Sequence, residues 1–191
     1  MTGRLTDPVP DDPEVRRLLD PYRLPDGRPL PLFEALAHSR AALDDLRRAT
    51  AACLGAPALD ARTREIAVLR VCARAGAEPE WAVHVRMFAA EAGLGEAEIE
   101  ATAMPWDAFP WPARDALVIR LADEIHDAST VSDELWAALS QEYTAQEIVE
   151  LLLVVTQYHK VACLTNALGL RPPAGTPRMP RPEHAAARDI D

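Results

Sequence analysis

Cysteine is scarce in this chain and nowhere paired. Cys53, Cys72 and Cys163 are an odd number at wide spacings with no CxxC between them. That excludes a disulfide framework and offers no zinc-binding spacing. They read as small buried apolar residues in a reducing compartment. Aromatic residues make up only 5% of the chain, and valine and isoleucine are sparse beside alanine and leucine. That mixture favours helices over sheets. Positive charge is in deficit: the formal net charge is −10, which argues against nucleic acid or an anionic membrane surface as the main partner. No apolar run reads as long enough to span a bilayer. The first residues, Met1-Thr-Gly-Arg with Asp and Pro soon after, show no apolar signal-peptide core. The expectations are therefore a cytoplasmic location, no nucleic acid and no membrane.

What the chain does have is proline at its ends and helical signals between them. Pro8, Pro10, Pro13, Pro21, Pro25, Pro29 and Pro31 leave room in residues 1–31 for one short helix near Glu14–Leu19. Pro172, Pro173, Pro177, Pro180 and Pro182 mark a C-terminal tail, residues 171–191, expected to be extended or disordered unless it packs on a partner subunit, and both proline-rich ends are expected to wrap around neighbours. Between them, residues 32–170 form one helical domain. A helix or helix pair spans about Leu32–Leu54, stopped by Gly55 and Pro57. Asp60 is a helix N-cap, and that helix closes at Gly76. The next ends at Gly93, followed by a short one near Glu96–Ala101. Prolines force residues 104–112 into a loop, in which Trp106, Phe109 and Trp111 are anchors, lid or interface. Helices follow at Ala113–Asp127 and after Ser132. Thr144-Ala-Gln-Glu147 is a capping box that opens the longest apolar helix, Ala145 to about Leu168, ended by Gly169. The fold class is all-α. The segments beginning at Ala61 and Ala113 resemble each other weakly.

The chemistry-bearing pattern is Glu65 on one helix and Glu80-Trp81-Ala82-Val83-His84 at the start of the next. Pro79 suits a first helical position. Glu80 then lies in the first turn, where the helix N-terminus favours its ionised form. His84 is one turn later on the same face, within reach of the Glu80 carboxylate. Glu65 shares a stripe with Leu69 and Cys72, so burial should raise its pKa. Two carboxylates in opposed environments with an imidazole nearby suit proton transfer.

Leu59-Asp-Ala-Arg-Thr-Arg-Glu65-Ile-Ala-Val-Leu-Arg, Glu78-Pro-Glu80-Trp81-Ala-Val-His84 and Ala89-Ala-Glu-Ala-Gly93-Leu resemble the carboxymuconolactone decarboxylase family, of the alkylhydroperoxidase D-like superfamily. The stretch Thr144–His159 through Asn166-Ala-Leu-Gly169 resembles its closing helix, so the resemblance covers about residues 35–170. It implies an alkylhydroperoxidase D-like helical bundle that is homo-oligomeric (dimer, trimer or hexamer). In the peroxidase branch two cysteines stand where this chain has Ala77 and Glu80, so thiol-based peroxide reduction is expected to be absent. The implied activity is carboxy-lyase chemistry on a small carboxylated molecule, with Glu65, Glu80 and His84 as catalytic residues and no metal or organic cofactor; the alternatives are an alkylhydroperoxidase-like redox protein without the CxxC pair, or a non-enzymatic ligand-binding helical oligomer. Trp81 would line an apolar pocket, and His159 is a further substrate-binding candidate. His126 lies near a helix end, where a cation is favourable without any chemistry, and His38 and His184 show no partners in sequence. Arg40, Arg62, Arg70, Arg86 and Arg120 are all available in sequence to grip a carboxylate, with no spacing that selects one.

Overall fold

The structure is a computed structural model that describes residues 3–5, 9 and 11–180. These contain nine α-helices and no strand: α1 Pro13–Leu19, α2 Pro31–Leu36, α3 Arg40–Leu54, α4 Ala61–Arg74, α5 Glu78–Phe88, α6 Glu96–Ala101, α7 Ala113–Ala128, α8 Asp133–Glu142 and α9 Ala145–Ala167. The all-α expectation holds. So do most caps: the Asp60 carboxylate accepts from the Thr63 amide at 2.7 Å, and Thr144 and Glu147 form the capping box of α9. Gly76 and Gly169 adopt positive φ. Around each, two amides fold back onto the last helical carbonyls, Gly76 to Ala73 and Ala77 to Cys72, then Gly169 to Asn166 and Leu170 to Thr165. This satisfies carbonyls that would otherwise be orphaned and reverses the chain tightly. One boundary differs: α5 ends at Phe88, and turns carry the chain on to Gly93.

Helix α4 is the axle of the bundle, packed against α5, α7 and α9. It is buried on nearly every side from Glu65 to Cys72, so the arginine embedded there, Arg70, needs a partner. It and two further arginines of α4 find partners on α7 at a constant sequence offset. Arg62 donates to Asp115, Arg70 donates two bonds of 2.7 Å to Asp123, and Arg74 donates to Asp127, each pair 53 residues apart. A constant offset means that the helices run parallel, with the two weakly similar segments side by side. Arg70 is only 3% exposed, and its remaining donor reaches the carbonyls of Thr102 and Met104.

Three expectations need amendment. Cys53 and Cys72 are buried but Cys163 is exposed. Burial pushes the Cys53 thiol up to about 11 and the Cys72 thiol well above its ordinary value. A neutral-pH alkylating reagent is therefore expected to modify Cys163 rapidly and the other two only after denaturation, counted by intact mass; fast modification of Cys72 in the native protein would contradict this packing. Second, α9 is long and apolar enough, by length and composition alone, to cross a membrane. Its apolarity has a simpler cause here, since Ile148, Leu151, Val154, Val155, Tyr158 and Val161 form its core-facing side. Third, the tail through Pro180 lies on its own chain. The Gly175 carbonyl accepts from Arg86, the Met179 amide donates to Glu78, and Arg178 pairs with Glu78. Residues 181–191, with His184, lie outside the described residues.

Candidate active site

Three helices supply the site. Only Ala75, Gly76 and Ala77 join α4 to α5, so the two run antiparallel and the start of α5 faces the body of α4. Glu65 points from α4 into this contact and is 1% exposed; His84, from α5, is 5% exposed. Glu65 Oε2 and His84 Nδ1 lie 2.7 Å apart. With a carboxylate as acceptor, Nδ1–H is the donor, which fixes the tautomer and leaves Nε2 as the basic nitrogen. Among the described residues nothing hydrogen-bonds Nε2. Arg64 Nε stands 3.3 Å from the other Glu65 oxygen, giving the buried acid a second partner.

Glu80 is on the same face of α5, one turn before His84. It was expected to be the hydrogen-bond partner of His84; instead the imidazole selects Glu65, and Glu80 accepts from the Thr165 hydroxyl of α9 at 3.1 Å. The direction of its pKa is also the reverse of the expectation. Burial raises the value and outweighs the His84 charge and the Thr165 hydrogen bond, which favour the carboxylate. Glu80 keeps some accessible surface, yet α9 crowds its carboxyl. The folded protein thus holds this proton to higher pH than the unfolded chain does. Protonated Glu80 supports the fold fully below the ordinary carboxylate value of 4.5, and the contribution fades as pH rises through the raised one. Urea unfolding across that range is expected to show Glu80→Gln losing less stability with rising pH than the wild type; parallel curves would contradict this assignment.

The remaining candidates separate. Trp81 is buried, and its indole N–H donates to Thr102 Oγ1 at 3.0 Å, which makes it a core wedge between α5 and the end of α6, not a pocket wall. His159 turns away from the pair and stacks on His126, with ring centroids 5.4 Å apart. Its neighbour Tyr158 takes the inward position: the phenol ring meets the His84 ring edge-on, 5.0 Å between centroids and 89° between planes. Phe88 flanks the imidazole at 5.0 Å. Cys72 completes the surroundings, its thiol pushed up by burial and then by the charges of Glu80 and Glu65. Tyr158, Thr165 and Cys72 were not singled out for the site from sequence. The spacing of 158 and 165 puts both on one face of α9, but nothing in it says which face meets α5.

A large groove, about 1000 Å³, lies elsewhere, between the C-terminal halves of α4 and α7, lined among others by Arg74, Trp106, Arg120, Asp127 and Met179. It touches none of Glu65, Glu80 and His84, so it is not the hollow expected beside them. Of the loop aromatics, Trp111 is buried and meets Phe109 at 4.8 Å, whereas Trp106 is 48% exposed at the groove. Among the described residues no three His, Cys, Asp or Glu side chains converge as metal ligands.

In fold, this helical bundle with its antiparallel helix pair and closing helix is alkylhydroperoxidase D-like. It resembles an uncharacterized peroxidase-related protein from Silicibacter sp. TM1040, with a TM-score of 0.75, 19% identity and 88% of each chain covered. It likewise resembles the alkylhydroperoxidase AhpD core of an uncharacterized peroxidase-related protein from Ralstonia eutropha JMP134, with a TM-score of 0.72, 18% identity and 88% and 92% of the two chains covered. Residues 37–124, which hold Glu65, Glu80 and His84, match the model of the carboxymuconolactone decarboxylase family. Among curated proteins none matches the sequence.

Proposed function

We propose that the chain is a cofactor-independent, carboxymuconolactone decarboxylase-like enzyme that uses Glu65, His84 and Glu80 to move a proton on a small carboxylated organic substrate. The observation that carries this reading is the buried 2.7 Å contact of Glu65 with His84, one turn from a carboxyl whose pKa is raised. In a carboxylated unsaturated lactone the bond to the carboxylate carbon breaks, CO₂ leaves, and the electron pair spreads into the conjugated carbonyl. The resulting enolate takes a proton at carbon from His84 Nε2–H or from protonated Glu80. Glu65 holds the imidazole in one tautomer and balances its charge when protonated. Glu80, which retains some accessible surface, is the group placed to exchange that proton with water.

The alternative is a redox protein of the peroxidase type, favoured by the names of the two structural neighbours. Against it stand Ala77 and Glu80, and the nearest thiol, Cys72, is buried and held in its protonated form. Peroxide consumption with a dithiol donor tests it directly. For the leading reading, Glu65→Gln, Glu80→Gln and His84→Gln are each assayed for decarboxylation of the lactone acid. Full turnover in all three, with folding intact, would remove it. The reading includes a cytoplasmic homo-oligomer, whose contacts would cover exposed Trp136, Val149 and Leu153.

A further inference from the structure

The site has groups that move a proton, but among the described residues no unpaired cation is found in contact with Glu65, Glu80 or His84 to meet negative charge on a substrate oxygen. The arginines offered by the sequence are engaged elsewhere: Arg40 with Glu14, Arg62 with Glu98 and Asp115, Arg70 with Asp123, Arg86 with the Gly175 carbonyl, and Arg120 with Glu134. Arg64 is on Glu65. The Thr165 hydroxyl is donated to Glu80. Tyr158 is what remains. Its side chain is buried, 4% exposed, and its ring rests edge-on against His84. No hydrogen bond to its hydroxyl is found among the described residues. The hydroxyl is not one of the fully enclosed side-chain atoms that lack a partner, so it is left open to a ligand beside the imidazole that handles the proton.

We propose that Tyr158 is a substrate-contacting residue of this site, whose hydroxyl donates a hydrogen bond to the substrate carbonyl oxygen that gains charge as the enolate forms. This inference rests on the proton-transfer reading and narrows it. The substrate is then oriented with its carbonyl oxygen toward Tyr158 and its reacting carbon toward His84 and Glu80. A preorganised donor aimed at developing charge acts mainly in the transition state and needs no reorganisation when the charge appears. The phenol stays a donor throughout the working pH range, since burial first, then the charges of Glu65, Cys72, Cys53 and Glu80, hold its pKa well above the ordinary value.

Tetronate, the stable anion of tetronic acid, carries a delocalised lactone-enolate charge and serves as the probe, with the uncharged parent butenolide as control. Calorimetric titration of the full chain is expected to show Tyr158→Phe binding tetronate roughly ten- to a hundredfold more weakly than wild type, with butenolide affinity unchanged. The ring and its contact with His84 are retained in this variant, so circular dichroism and melting should be close to wild type. Equal tetronate binding by Y158F, equal weakening for tetronate and butenolide, or no tetronate binding by wild type would each overturn the assignment. The parent reading fails by a different result, full turnover in E65Q, E80Q and H84Q with folding intact.

Discussion

His84→Gln is expected to lower turnover of a carboxylated unsaturated lactone by roughly 10²–10⁴-fold, the range lost with a positioned general acid or base. The glutamine amide can still donate to Glu65, so the packing of α4 on α5 survives while the titratable nitrogen is gone. The loss should fall on kcat and leave KM nearly unchanged, since proton delivery is an interaction made in the transition state. Glu65→Gln tests the same pair from the other side. It keeps a polar group at 2.7 Å from Nδ1 but removes the charge that holds the tautomer and stabilises the protonated imidazole, so kcat should fall here too. Stopped-flow rates with melting curves for both variants check this. An unchanged kcat in H84Q would show that the imidazole is a packing residue.

Asp123→Ala is expected to destabilise the fold by about 3–5 kcal/mol, the cost of leaving a buried charge without its partner. Arg70 is 3% exposed and gives both Nε and Nη2 to Asp123 at 2.7 Å. Without the carboxylate its charge remains buried, held only by the carbonyls of Thr102 and Met104. Replacing both residues with apolar ones, Arg70→Met with Asp123→Leu, should restore much of the loss, because no charge then remains to be desolvated. Denaturant unfolding of the single and double variants decides the matter. A loss below about 1 kcal/mol in D123A, the size of an exposed pair, would mean that the α4–α7 ladder does not hold the two helices in register.

The fold was legible in sequence because its helix ends are marked by residues with a local mechanism. Asp60 and Thr144 cap where the carboxylate and hydroxyl find amides three residues on, and Gly76 and Gly169 stand where the chain must turn through positive φ. The convergence of Glu65 with the start of α5 follows from the short link at Gly76, which is also local. What sequence left open depended on contacts between distant segments. The reversal at Glu80 comes from burial beside α9, 85 residues away at Thr165, and it runs against the helix terminus that sequence reveals. His159 and Tyr158 differ by one step of about 100° around α9, enough to send one toward His126 and the other to His84. The parallel pairing of α4 with α7, which engages Arg62, Arg70 and Arg74, is a register between helices and has no signature within either one.

The central claim is that the imidazole paired with Glu65 hands a proton to a substrate carbon. A single turnover of the lactone acid in D₂O, with product examined by mass spectrometry and NMR, tests it most directly. Wild type should release CO₂ and place one deuterium at one face of the former carboxylated carbon or its conjugated position, and H84Q should form no such product in the same interval. Product formed by H84Q at the wild-type rate and with the same deuterium placement would contradict the account.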